Sequence, residues 1–202
     1  MGCAAERRSL REVLDDTALQ ARVAARAGVM VGHGEGPFTV DGATYGADCT
    51  GFVEAVYAAE GIPLRRLLQA AAPRATSAVE AAWAAAGAWG VRWLGGEWPA
   101  PGDLIFFDDT WDRNGNGRRD DPLTHVGLVE WVEVDGTVHF VHRISKGVVR
   151  GRLDRGHPST PADATGRTLN SWLRVKVTRD DAAPTLAGEL FAGFGRLIPT
   201  PR

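Results

Sequence analysis

The sequence predicts an α+β fold in which N-terminal helices pack on an antiparallel β-sheet. Two observations lead to this prediction. Helical signals, including two capping boxes, lie in the first half of the chain, whereas short apolar segments joined by turn residues follow Pro101. Because the helices come first and the strands second, the helices should be segregated to one side of the sheet.

The first predicted helix begins at a capping box formed by Ser9 and Glu12, and it ends at Gly28, a natural stop residue. A glycine-rich loop follows. The second predicted helix runs from Cys49 to Glu60 and places its apolar residues on one face.

A second capping box, Ser77 with Glu80, begins an alanine-rich helix that we expect to end at Gly87. The dipeptide Asp135-Gly136 separates two strand-like segments, which is a strong hairpin signal. The predicted strands are Asp103 to Phe107, Thr124 to Glu133, Thr137 to Ile144, Gly147 to Leu153 and Ser171 to Thr178, and a last helix is predicted from Leu186 to Phe194.

The composition is that of an ordinary globular protein. The chain has 202 residues, 44% of them hydrophobic and 24% charged, with a formal net charge of −2. This near-neutral balance gives no electrostatic reason to expect a nucleic-acid partner, and no apolar segment is long enough for a transmembrane helix. We expect a monomer with an N-terminal helical extension (residues 1–30), a catalytic domain (31–180) and a C-terminal helix and tail (181–202).

Cys49 is the first candidate for chemistry. It follows Asp48 at the predicted start of a helix, where unpaired N–H groups and the positive end of the helix dipole favour a thiolate. We therefore expect a lowered pKa for this thiol. A buried structural cysteine is the alternative interpretation.

Two histidines are the next candidates. In the segment that contains His125, alternation places this residue, Gly127 and Val129 on one face of a strand. If Asp135-Gly136 forms a two-residue turn, His142 lies opposite Val129 and shares the face of His125, although a bulge would invert this relationship. Cys49, His125 and His142 then form a nucleophile, a base and a residue that orients the base.

Four segments together resemble the NlpC/P60 family of bacterial cell-wall cysteine peptidases. In chain order they are Asp48 to Val53, Pro101 to Phe107, His125 to Val129 and Phe140 to His142. The resemblance covers about half of the chain. It implies a papain-like α+β fold and cleavage of the bond between D-glutamate and a diamino acid in peptidoglycan stem peptides.

The same resemblance assigns roles by position. Cys49 is the expected nucleophile, His125 the general base, and His142 the third polar residue. Asp48 and Tyr45 are assigned to the substrate and oxyanion side of the site, although the aromatic segment that the family carries before its cysteine is not matched here. Trp98 and Trp111 are expected to border the cleft.

An insertion between Phe107 and His125 is similar to the first half of an EF-hand calcium loop. Side-chain oxygens recur at alternate positions, with a glycine in sixth place, but the glutamate of the twelfth position is absent. The expected calcium ligands are Asp112, Asn114, Asn116, the Arg118 carbonyl and Asp120. A polar loop with Asn-Gly turns is the alternative. Any calcium would be structural, and catalysis would need no cofactor.

Two other functions stay open from the sequence alone. One is a CHAP-type amidase that cuts the amide between the sugar and the peptide, and the other is a non-catalytic module that binds the cell wall or calcium. The implied location is the bacterial envelope, either periplasmic or secreted. Cys3 resembles the lipidated residue of a lipoprotein, but the sequence contains no recognisable export signal.

Overall fold

A computed structural model of the chain describes residues 17–174 and 184–197. The helices are α1 (Thr17–Val29), α2 (Cys49–Ala59), α3 (Leu64–Ala71), α4 (Ala78–Trp89) and α5 (Ala187–Leu190). The strands are β1 (Phe38–Val40), β2 (Ala43–Tyr45), β3 (Val91–Trp93), β4 (Leu104–Phe107), β5 (His125–Val132), β6 (Val138–Ile144), β7 (Gly147–Leu153) and β8 (Phe191–Arg196).

Six of these strands form one antiparallel sheet in the order β3-β8-β4-β5-β6-β7, and β1 and β2 form a separate hairpin. Helices α1 and α2 pack against β5, and α4 packs against β8. One apolar core lies between the helices and the sheet, and a second involves β4–β8 and α5. The α+β prediction is therefore confirmed, and the architecture is compatible with a papain-like fold.

Helix α2 begins at the predicted residue, Cys49, and ends one residue before the predicted Glu60, which is its C-cap. Ser77 also caps α4 as predicted, accepting a hydrogen bond from the Glu80 N–H at 3.1 Å. The carboxylate of Glu80, however, bonds to Thr76. The capping box at Ser9 and Glu12 lies outside the described residues, as does Cys3.

Several predicted elements are wrong. Helix α4 continues through Gly87 to Trp89, and α3 was not predicted. The C-terminal helix from Leu186 to Phe194 is a four-residue helix followed by strand β8. The predicted strand from Ser171 has only an isolated bridge, between Trp172 and Leu186, in its described part.

Strand β8 lies inside the sheet because its glycines permit close packing. A Cβ atom on Gly193 would lie 2.8 Å from the Trp83 ring, and one on Gly195 would lie 2.8 Å from the Ala86 Cβ. Both of these neighbours belong to α4. The glycines therefore allow that helix to lie directly over β8, where a strand with side chains at these two positions would not fit.

The register of the β5–β6 hairpin differs from the prediction. Val132 lies opposite Val138 and Gly127 opposite His142, with a register shift between Val129 and Trp131. The turn is longer than the predicted two residues, which moves the strand pairing by one residue, and the irregularity moves it by one residue more. Because the total shift is two residues, each side chain of β6 still points to the predicted face of the sheet. His142 therefore shares the face of His125, as predicted, but it lies opposite Gly127 and not Val129.

A buried ion pair joins distant parts of the chain beneath the sheet. Asp103, which is fully buried, accepts two hydrogen bonds from Arg196 at 2.8 and 2.7 Å and one from Gln20 at 2.9 Å. Helix α1, the start of β4 and the end of β8 are thus held at one carboxylate. No helix of the described ranges is both long and apolar enough to cross a membrane.

Candidate active site

The start of α2 presents Cys49 on a well-defined turn. Asp48 is the N-cap, and its carboxylate accepts hydrogen bonds from the Gly51 N–H at 2.7 Å and from the Thr50 hydroxyl at 2.8 Å. A Cβ on Gly51 would collide with the carbonyl oxygen of Gly46. The glycine that follows the Asp-Cys-Thr sequence is therefore needed for the preceding loop to approach the helix.

Cys49 is a partly exposed residue, and three backbone N–H groups act on the pKa of its thiol. They belong to Val126, Thr50 and Cys49 itself, and they lower its pKa. Burial and the nearby Asp48 carboxylate act in the opposite direction and prevail, so that the pKa of the thiol is raised to about 11. The expectation of a lowered thiol pKa is therefore wrong for the substrate-free site, because the loss of hydration outweighs the helix terminus.

His125 and His142 form a direct pair. His125 Nε2 lies 2.8 Å from His142 Nδ1, and the two rings meet edge to face. Burial lowers the pKa of His125 to about 4 and also lowers the pKa of His142. Both rings are therefore neutral near pH 7, and one ring nitrogen donates the single proton that this contact holds.

The pairing leaves His125 Nδ1 as the nitrogen available to the cleft. Among the backbone N–H groups that lower the pKa of the Cys49 thiol, the one with the largest effect belongs to Val126, the residue that follows His125. Within the described residues no hydrogen bond joins the thiol to a histidine ring. The three residues thus line one cleft, where the two histidines are bonded to each other and the thiol is not bonded to either ring.

One cleft of about 1030 Å³ contains the predicted catalytic residues. Asp48, Cys49, His125 and His142 all line it. Tyr45 does not; its ring lies 5.1 Å from the guanidinium of Arg65. A substrate role for Tyr45 therefore has no support from its position.

Of the two tryptophans expected at the cleft, the structure places only Trp111 there. Its indole N–H donates to the carbonyl of Thr124 at 3.4 Å, directly before His125. Trp98 lies beneath Arg155 at a separate surface depression. Trp172, which was not singled out in the sequence, joins Trp111 along the cleft, and both side chains are exposed.

Three basic residues of the cleft were also missed in the sequence. Arg143 and Lys146 follow His142 at the end of β6 and in the next turn, and Arg174 comes from the irregular segment before residue 175. The first two could have been found from their closeness to His142 in sequence. Nothing local predicts the position of Arg174, since tertiary packing alone brings it to the cleft.

The loop between β4 and β5 is organised around two carboxylates. Asp112 accepts hydrogen bonds from the N–H groups of Gly115, Asn116 and Gly117. The side-chain amides of Asn114 and Asn116 both donate to Asp120 at 3.0–3.2 Å.

The side chains expected to bind calcium therefore bond to groups of their own loop, and the described residues contain no cluster of three or more Asp, Glu, His or Cys side chains that could hold a metal ion. Asp121, the acidic residue that follows Asp120, is buried. Its carboxylate accepts the Arg113 N–H at 2.9 Å and lies 3.9 Å from the guanidinium group. The Asp112–Asp120 carboxylates and the amide oxygens fit a hard cation in chemistry, but a bidentate carboxylate is still not supplied by Asp121.

Comparison with known proteins gives one family and no individual relative. No curated protein and no solved structure shows significant similarity to the chain. The CHAP domain matches residues 38–143, a segment that includes Cys49, His125 and His142, whereas the NlpC/P60 family does not match. CHAP domains are cysteine- and histidine-dependent amidohydrolase or peptidase domains related to NlpC/P60, and they act on peptidoglycan. Because the match extends over more than half of its residues, this chain belongs to the CHAP domain family.

Proposed function

We propose that the chain is a cysteine hydrolase that cleaves an amide bond of bacterial peptidoglycan, either within the stem peptide or between the stem peptide and the muramoyl group. Cys49 is the nucleophile, His125 the general base and His142 the residue that orients His125. The observation that carries the proposal is the 2.8 Å contact between His125 Nε2 and His142 Nδ1, in the cleft that Cys49 lines. This contact directs the other ring nitrogen of His125 toward a substrate-binding space.

The chemistry follows from these positions. His125 Nδ1 accepts the thiol proton as the Cys49 sulfur bonds to the substrate carbonyl carbon. His142 accepts the Nε2–H of His125, which fixes the required tautomer. The protonated His125 then gives its proton to the leaving amine as the C–N bond breaks. Water, deprotonated by His125, releases the acyl group and restores the thiol.

The high pKa of the free thiol fits this order of events. A thiol near pKa 11 beside an imidazole near pKa 4 does not form an ion pair at rest. The proton therefore moves during the attack and not before it. The backbone N–H of Cys49, in the first turn of α2, is the donor that we expect to stabilise the developing oxyanion.

Two bonds are candidates for cleavage, and each has a different supporting observation. The bond between D-glutamate and a diamino acid is flanked by carboxylates, which the three basic residues of the cleft favour. The amide between the muramoyl group and L-alanine adjoins a sugar, whose flat faces would pack on the exposed rings of Trp111 and Trp172. Both bonds lie within the amidase and peptidase activities of CHAP domains, and the second is the alternative considered from the sequence.

Digestion of purified peptidoglycan, with the products identified by mass spectrometry, tests the function and distinguishes the bonds. An endopeptidase releases a new amino terminus on the diamino acid, whereas an amidase releases one on L-alanine. We expect Cys49→Ala and His125→Ala to abolish the product while their circular dichroism spectra stay unchanged. Full activity of Cys49→Ala would refute the mechanism, and binding without any product from the unaltered chain would favour a non-catalytic wall-binding module.

A further inference from the structure

Three cationic side chains in the cleft have no ionic partner among the described residues. Arg143, Lys146 and Arg174 all line the cleft, and none of them forms a salt bridge. Several arginines outside the cleft form salt bridges, as Arg65 does with Glu54 and Arg150 with Glu130. The unpaired positive charge is thus concentrated where the substrate would bind.

Arg143 is the most unusual of the three, because its side chain is buried with only 4% of its surface exposed. Its terminal nitrogens donate to backbone carbonyls, those of Ile144 and Glu35, the latter at 2.7 Å. Its Nε is buried without a hydrogen-bond partner. A buried charge that faces only neutral acceptors is costly unless an anion compensates it.

The other two cations complete this wall of the cleft. Arg174 is held by a 2.6 Å hydrogen bond to the carbonyl of Asp109, which fixes its guanidinium without neutralising it. Lys146 is exposed at the turn between β6 and β7. Asp48 is the acidic residue of the lining, and its carboxylate is already bonded to the Gly51 N–H and the Thr50 hydroxyl.

We propose that Arg143, Lys146 and Arg174 form a carboxylate-binding wall that makes a free carboxylate beside the scissile bond a determinant of substrate specificity. The proposal rests on the proposed function and deepens it. Stem peptides whose carboxyl groups are free fit this wall, whereas stem peptides carrying carboxamides leave its positive charge uncompensated. A carboxylate can accept charge-assisted hydrogen bonds from guanidinium and ammonium groups, whereas a neutral amide accepts only weaker ones.

The test uses two synthetic stem peptides that differ only in a carboxylate or a carboxamide next to the cleaved bond. We expect KM for the carboxylate peptide to be at least about tenfold lower, with kcat less affected. Lys146→Met and Arg174→Gln should each raise KM for the carboxylate peptide and leave KM for the carboxamide peptide nearly unchanged. Arg66→Gln, which alters an exposed arginine outside the cleft, should change neither value.

Equal KM values for the two peptides would overturn the proposal while leaving the proposed function intact. If neither peptide is hydrolysed, the bond between D-glutamate and the diamino acid is not the one cleaved, and calorimetric titration of each peptide into Cys49→Ala decides whether the wall binds carboxylates. Tighter binding of the carboxylate peptide, lost in Lys146→Met, supports the carboxylate-binding wall. Equal binding of the two peptides, or none, contradicts it.

Discussion

Gly127 of β5 lies directly opposite His142 of β6, and a Cβ atom on Gly127 would come within 3.2 Å of the His142 Cβ. The same added atom would lie 2.9 Å from the carbonyl oxygen of Val141. The absence of a side chain at Gly127 thus makes the room in which the His142 ring reaches His125. A glycine is therefore needed two residues after the candidate base, because any side chain there would crowd His142.

Substitution of this glycine should impair catalysis more than its size suggests. In Gly127→Ala the crowded backbone moves β6, and we expect kcat to fall about tenfold or more, with about 1–3 kcal/mol lost from the free energy of unfolding. Gly34→Ala is the matched control, because nothing lies within 4 Å of a Cβ built on Gly34. Steady-state kinetics and urea unfolding measure both effects. Unchanged kcat in Gly127→Ala would contradict the claim that the space at Gly127 positions the His142 ring.

The role of His142 can be separated from its bulk. In His142→Asn the side-chain oxygen takes roughly the place of Nδ1 and still accepts the Nε2–H of His125, so we expect most activity to remain. His142→Leu offers no acceptor and should lower kcat by about 100-fold or more. Equal losses in the two variants would show that His142 fills space and does not orient His125.

The pKa values predict a broad pH range for activity. A general base works only in its neutral form, and His125 loses that form as the pH falls through about 4. We therefore expect kcat/KM to stay level from about pH 5 to about pH 9 and to fall by about tenfold per unit in strong acid.

Alkylation of the substrate-free chain by iodoacetamide gives an independent check on the same pair. Because the thiol pKa is raised to about 11, the rate should climb steadily above pH 8, and His125→Ala should change it little. Rapid alkylation that is independent of pH near neutrality, and that disappears in His125→Ala, would instead indicate a preformed thiolate–imidazolium pair.

The buried pair of Asp103 and Arg196 should dominate stability on its side of the sheet. Arg196→Met leaves a fully buried carboxylate without its main partner, and we expect a loss of about 3–5 kcal/mol in the free energy of unfolding. Arg167→Gln, which breaks exposed ion pairs, should lower the free energy of unfolding far less, because solvent screens these pairs. Chemical denaturation followed by circular dichroism compares them, and similar losses in both would contradict the ranking.

The interpretation of the β4–β5 loop as a structural calcium site makes a separate prediction. Saturating Ca²⁺ should raise the unfolding temperature by about 2–8 °C relative to a chelator. Asp112→Ala should abolish this shift, because Asp112 organises the loop. Asp163→Ala, which removes a similar turn-forming carboxylate elsewhere, should preserve it. Identical unfolding temperatures with calcium and with chelator would leave the loop as a hydrogen-bonded turn.

Elements with strong local signals were predictable. The N-cap at Asp48, the cap at Ser77 and the strand alternation around His125 each depend on residues close in sequence, and the structure has all three. The placement of His142 on the face of His125 was also predicted. Its register was not, because a longer turn and the shift near Trp131 are properties of strand pairing.

Features created by tertiary contacts could not be predicted in this way. Strand β8 has the spacing of apolar residues that a short helix would have, and only packing against Trp83 and Ala86 decides for a strand. The rise in the thiol pKa likewise depends on burial, which the first turn of α2 does not reveal. Arg174 reaches the cleft through its bond to Asp109, 65 positions away in the sequence.

The carboxylate of Asp103 has a practical consequence for anyone who wishes to cut this protein down to its catalytic part. The segment that the CHAP family shares, residues 38–143, contains every candidate catalytic residue but neither Gln20 nor Arg196. It also lacks β7 and β8, and β8 separates β3 from β4 in the sheet. A fragment trimmed to residues 38–143 would therefore expose the Asp103 carboxylate and separate β3 from the rest of the sheet. The part of the chain that must be kept for folding is thus larger than the part that matches the family.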